Sequence, residues 1–194
     1  MAKVKNRIKA VVIQRICAHY RIPFFLGLAR SERVEFVFSY GNSKPLDALK
    51  SYVPSGLQYQ PVHNIWITST GSWVWQSGVV RLAFKKDVDV FVVEANPHII
   101  SSIFLCLIAR IRGKSILLWG HGKGSKKGYL VRSLRVLLPQ LLGGYIFYDQ
   151  KQALKIKAWG LPNHFIHIAN NTIDTRAIMN LAVPWKQCTR KNII

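Results

Sequence analysis

Acidic residues, cysteines and long apolar runs are all scarce in this sequence. Only 8 Asp and Glu stand against 28 Lys and Arg, a formal charge of +20 over 194 residues. Solubility asks for much less, so something negative is expected nearby: nucleic acid, an anionic bilayer surface, or phosphates on a smaller ligand. Cys17, Cys106 and Cys188 are far apart, with no Cys-x-x-Cys pair, which argues against a disulfide framework or a zinc site. Cys106, inside IFLCLIA, fits a small core hydrophobe. The longest apolar stretch, Ile99 to Ala109, includes two serines and is about half the length that crosses a bilayer. Arg15 breaks the apolar run that follows the basic start, so that start does not form a signal peptide. Any membrane contact is expected to be peripheral.

The usual phosphate loops are missing as well. The turn after the first apolar run, IQRICAHYRIPFF, holds no glycine before Gly27, so the dinucleotide fingerprint is absent where it belongs. GHGKGSKK contains no G-x-x-x-x-G-K-[ST] register. Nicotinamide-dependent redox chemistry and P-loop hydrolysis are thereby disfavoured. His98, His164 and His167 show no metal-ligand spacing, and neither a metal nor a resident cofactor is expected.

What is present is an alternation of short Val/Ile/Phe-rich runs with longer segments of helical period, in a chain that is 49% hydrophobic. That pattern predicts an α/β fold, a Rossmann-like, mostly parallel sheet with helices on both faces. Strands are expected near Ala10–Gln14, Glu35–Ser39, Asn64–Thr68, Val88–Glu94, Ser115–Trp119, Gly144–Tyr148 and Phe165–Ala169. Asn96 and Pro97 would open one helix, with Gly113 closing it. Leu130, Leu134, Leu137, Leu138 and Leu141 recur at helical spacing, with Arg132 and Arg135 off that stripe, Pro139 kinking its last turn and Gly143-Gly144 stopping it. Asp149 would cap a third helix that ends at Gly160.

In open parallel sheets ligands settle at the carboxyl ends of strands. The residues there are Tyr20 and Arg21 after the first strand, Glu94 and Asn96 after the fourth, Gly120, His121, Gly122 and Lys123 after the fifth, and Tyr148 after the sixth. Glycine amides, an imidazole and the lysines 123, 126 and 127 on one rim suit a phosphate or carboxylate. Arg21 suits an anionic acceptor. Glu94, an acid ending an apolar strand, must be paired or working.

Taken in order, YRIPFF, DVDVFVVEANPHIISSIFLCLIARIRGKSILLWGHG, GYIFYDQKQALKIKAWGLP and IHIANNTIDT resemble the N-terminal domain of a family 4 glycosyltransferase of the GT-B type, over residues 8–175. The resemblance implies two Rossmann-like domains facing a cleft, with a sugar moved from a nucleotide-sugar co-substrate to an acceptor with retention. It implies His121 as the cleft histidine facing the donor, Tyr20 and Arg21 on the acceptor side, and Asn171 to Thr175 at the exit toward a second domain. Residues 1–175 would then be the acceptor-side domain and 176–194 a linker, with the donor domain on a separate polypeptide or lost by truncation.

The expected partners are a nucleotide sugar, a lipid-linked or saccharide acceptor in surface polysaccharide synthesis, and an anionic membrane surface on the cytoplasmic side. The basic residues near the first two helices would meet its headgroups. The alternative is a noncatalytic acceptor- or membrane-binding subunit paired with a donor-binding protein. Nucleic-acid binding is the weaker reading, because the basic residues are scattered and Trp66, Trp73 and Trp75 border apolar runs that suggest burial.

Overall fold

β-branched and aromatic runs bounded by turn residues form strands because such side chains pack well on a pleated, covered surface. In the computed structural model, which describes residues 7–44, 49–68, 73–122 and 128–170 together with Thr175 and Met179, six of these runs make one sheet. Its strands are β1 (Ile8–Ile16), β2 (Val34–Gly41), β5 (Val90–Glu94), β6 (Ser115–Gly120), β7 (Gly143–Phe147) and β8 (Ile166–Ile168). They lie in the order β2-β1-β5-β6-β7-β8, and every pairing is parallel. The chain steps outward from β1 to β2, then returns to β5 and proceeds the other way, so the topological switch falls between β1 and β5.

Residues alternate between the two faces of the sheet. Val11 and Ile13 of β1, Phe91 and Val93 of β5 and Ile116 of β6 share a core with α2 (Val79–Leu82) and with Leu105 and Ala109 of α3 (Ile100–Ile111). Val12, Phe38, Tyr40, Val92 and Trp119 share the other with Phe25 of α1 (Ile22–Ala29). A third cluster joins Phe147 to Ala153 and Ile156 of α5 (Gln150–Ala158), with Val136 of α4 (Tyr129–Leu142) against it. The expected α/β, Rossmann-like architecture with both faces covered is present.

Two details differ from the sequence reading, and two features of α4 add to it. The Asn64–Thr68 run is not a sheet strand: β3 (His63–Trp66) pairs antiparallel with β4 (Val74–Ser77) in a separate hairpin. Its residues alternate exposed and buried, as suits a ribbon with one covered face, whereas a central parallel strand is apolar on both. The tryptophans beside it are consequently less buried than expected. Trp73 is exposed, while Trp66 and Trp75 are half-buried.

The third helix starts at Ile100, not at Asn96. The Asn96 side chain instead accepts from the His98 amide at 3.1 Å, and the Ile99 amide bonds the Asn96 carbonyl at 3.1 Å. Val74 of β4 then donates to the His98 carbonyl at 3.0 Å, which holds Ile99 in a bridge to β4 and postpones the helix. Its end is as expected. Gly113 takes φ +73°, and the Lys114 amide reaches back to the Ala109 carbonyl at 2.9 Å.

On α4 the leucine stripe points outward: Leu130, Leu134, Leu137, Leu138 and Leu141 are exposed, while Pro139 and Leu142 are buried. Arg132 lies over the Trp159 ring at 5.4 Å. Finally, α4 passes into β7 with no intervening loop, a reversal that Gly143 and Gly144 permit at φ +143° and +152°. Among the described residues no helix is long and apolar enough to cross a membrane.

Candidate functional site

β1 delivers Cys17 and Ala18 to the switch point, where a single tight turn follows. The Arg21 amide closes on the Ala18 carbonyl at 2.9 Å. Arg21 is thereby thrown back over the strand ends. Its guanidinium donates to Gln14 Oε1, and to the Tyr148 hydroxyl at 2.6 Å. It also lies 5.4 Å from the ring centres of both Trp119 and Tyr148, and 5.9 Å from that of Tyr20.

Those partners are neutral. Among the described residues no carboxylate pairs with Arg21, so this half-buried cation has aromatic and amide company only. Gln14, 1% exposed, keeps its Nε2 without a hydrogen-bond acceptor. Such an unmatched cation and donor favour a negatively charged or oxygen-rich guest, because neither charge nor donor is fully satisfied by the protein.

Tyr148 connects the halves of the rim. Burial pushes its phenol up from the ordinary value; Arg21 pulls it the other way, and the Glu94 charge adds a smaller upward push. The hydroxyl therefore stays protonated at neutral pH. Against the same ring, 4.6 Å between centres, packs the exposed imidazole of His121. His121, Tyr20, Arg21 and Tyr148 are thus brought together, from sequence positions up to 128 apart, by the parallel order of β1, β6 and β7.

The other expected residues go elsewhere. Glu94 accepts from the Arg15 amide at 2.9 Å and from Asn96 Nδ2 at 3.4 Å, a structural tie between β5 and β1, and Asn96 is spent on its own turn. Gly120 and Gly122 were expected to let a ligand approach. Here a Cβ on Gly120 would lie 3.0 Å from that of Ala95, and one on Gly122 would lie 2.7 Å from Phe147, so both glycines make room for neighbouring protein. Gly122 also donates its amide to the Tyr145 hydroxyl at 3.0 Å. Lys123 and Asn171 lie outside the described residues.

Sequence reasoning missed Gln14 and Trp119. A glutamine inside the apolar run AVVIQ was the available signal, since a central parallel strand does not bury an amide without a use for it. A second polar cluster, also missed, fastens the hairpin below the rim. Asn64 Nδ2 donates to the Arg15 and Asn42 carbonyls, both at 2.8 Å, and its Oδ1 accepts from Gln76 Nε2 at 2.9 Å. Gln76 Nε2 donates also to the Gln14 carbonyl at 3.0 Å. A shallow groove lined by Lys9, Val11, Val37, Tyr59 and Lys85 sits at the opposite end of β1, away from this rim. Among the described residues no cluster of His, Cys, Asp and Glu could hold a metal ion.

No family model matches the chain, and no curated protein matches it. Solved structures do. UDP-N-acetylglucosamine 2-epimerase from Rickettsia bellii superposes at TM-score 0.50 with 10% identity, over 90% of this chain and 47% of that one. Anabaena Alr3699/HepE, in complex with UDP and glucose, superposes at TM-score 0.50 with 9% identity, over 88% and 46%. This chain therefore spans about half the length of each. At such identity the likeness is one of fold, and the chain is a mostly parallel, Rossmann-like unit matching about half of these GT-B proteins.

Proposed function

We propose that this chain is the acceptor-side half of a glycosyltransferase that draws on a nucleotide sugar, with Arg21 gripping an anionic group of the acceptor. The observation that carries the reading is the Arg21 guanidinium, positioned by Gln14 and Tyr148 at the switch point of a parallel sheet and, among the described residues, without a carboxylate partner. The fold likeness supports it, since one neighbour holds UDP and glucose and the other is a UDP-sugar epimerase.

In such a transfer, negative charge grows on the departing diphosphate while the sugar becomes oxocarbenium-like, and fixed donors near the phosphates lower the barrier. His121, exposed at the rim, would donate toward the donor. Tyr148, neutral and donating, and Arg21 would orient the acceptor. The donor's remaining contacts belong to a second unit, so the 194-residue chain should turn over a nucleotide sugar weakly or not at all.

Isothermal titration of the chain with glucose 6-phosphate, glucose and UDP-glucose tests the grip. The phosphorylated sugar should bind at least tenfold better than glucose, and Arg21→Met should erase that difference while His121→Ala weakens only UDP-glucose. Equal binding of glucose and its phosphate, or an unaffected Arg21→Met variant, would refute the anionic-acceptor assignment. The noncatalytic alternative is favoured instead if a co-purifying donor-binding protein is fully active on soluble sugars without this chain.

A further inference from the structure

We infer that the outer faces of α3 and α4, with the α2–α3 corner, form a surface that docks on an anionic lipid bilayer. On α3 the inward residues are Leu105, Cys106 and Ala109, while Ile103, Phe104, Leu107 and Ile111 face out, the last of them 86% exposed. On α4 the outward row is Leu130, Leu134, Leu137, Leu138 and Leu141. Leu142, ending α4, joins the same core cluster as Leu105 and Ala109, which puts both helices on one side of the sheet. Single exposed apolar residues are ordinary, but two successive helices turned apolar side out are not.

The choice of occupant rests on charge. Neither α3 nor α4 contains an acid. At the corner where α3 ends, Arg112 lies over the exposed Phe84 ring at 5.5 Å, and Lys114 donates to the Lys86 carbonyl at 3.0 Å. Arg81 and Arg110, both exposed, stand nearby on α2 and α3. The acids of that corner are engaged by Lys9: Asp87 takes its ammonium at 2.9 Å, and Asp89 its amide at 2.8 Å. Apolar tips bordered by cations match the boundary between acyl chains and anionic headgroups, where long basic side chains reach up to phosphate. A second copy of the same surface would bring like charges face to face. This inference does not depend on the sugar-transfer reading.

The test is co-sedimentation of the full chain with phosphatidylcholine vesicles, with and without 30 mol% phosphatidylglycerol, no sugar or nucleotide being present. Partition should require the anionic lipid. Arg110→Gln with Arg112→Gln should weaken it about fivefold per cation removed, which corresponds to about 1 kcal/mol each. Leu134→Asp with Leu138→Asp should weaken it at least tenfold. All four positions are exposed, and an unchanged circular dichroism spectrum verifies that each variant is folded. Absence of binding to the anionic vesicles, or binding untouched by either variant, would overturn the inference. So would light scattering that shows a dimer which the leucine variant converts to monomer, since the apolar face would then serve self-association.

Discussion

Asn64 is 2% exposed and bonds three protein groups at once. Without it Gln76 Nε2 keeps the Gln14 and Arg15 carbonyls as partners at 3.0 and 3.4 Å, and the Asn42 carbonyl loses its Asn64 donor. At about 1–3 kcal/mol for a buried polar group left short of its partner, Asn64→Ala should destabilise the fold by about 1–3 kcal/mol, read as a lower urea midpoint. Gly41 is coupled to it. A Cβ there would fall 2.3 Å from Asn64 Oδ1, so Gly41→Ala should be severe in the parent and markedly milder in the Asn64→Ala background, a departure from additivity that a double-mutant cycle reads directly.

The buried titrating groups set the alkaline limit. Burial pushes the Cys106 thiol from 9.0 to about 12, and the Tyr145 phenol from 10.0 to about 12. Both are raised above their unfolded values, so their contribution to stability is complete below pH 9 and is lost progressively as pH climbs from there toward 12. Cys106→Ala should flatten the decline of the urea midpoint between pH 9 and 11 while leaving its pH 6–8 portion level. An identical slope in parent and variant would show that the thiol does not titrate with unfolding.

At this scale the sequence exposed Arg21, Tyr148 and His121 because each follows an apolar run, and the end of a parallel strand is where a ligand meets the chain. It hid Gln14 and Trp119 because their role depends on which face of β1 and β6 they occupy, and that is decided by strand register. It also gave Glu94 an open choice that only the bond to the Arg15 amide resolves.

Helices and strands were legible to different degrees for a similar reason. The inner sheet strands show as apolar runs because both sheet faces are covered there, and local chemistry marks the start of α5, where Asp149 accepts from the Gln152 amide at 2.8 Å. Removing that cap with Asp149→Ala should cost about 1 kcal/mol and lower Tm by about 2–4 °C at this chain size, with Asp149→Ser largely restoring it. A thermal melt decides. The delayed start of α3 was not legible, since it goes with a contact distant in sequence, the pairing of Val74 with Ile99. Nor was the hairpin, since its place is set by the buried Asn64 and Gln76 bonding to the end of β1. Helical spacing on α4 was plain in the leucines, but spacing says that a stripe exists and not which way it faces.

For the molecule as a whole, a net charge of +20 is a self-repulsion that the folded state concentrates. Screening shortens from about 10 Å at 0.1 M salt to about 3 Å at 1 M. Raising sodium chloride across that range should therefore increase Tm by a few degrees, about 2–4 °C for each kcal/mol of repulsion relieved, as differential scanning calorimetry would record. A fall in Tm would mean that attractive pairs, such as Lys9 with Glu35 and Asp87, outweigh the repulsion.

Because Leu142 hands the chain straight to Gly143, the rotational phase of α4 is geared to the hydrogen-bond ladder between β6 and β7, with no slack segment to absorb an error. One residue inserted at that junction would turn the helix by about 100°, swinging its leucines sideways and its arginines out while the strand stays in place. The two glycines therefore act as a coupling that keeps a greasy flank aimed in a fixed direction, and length variation should be tolerated almost anywhere along this chain before it is tolerated there.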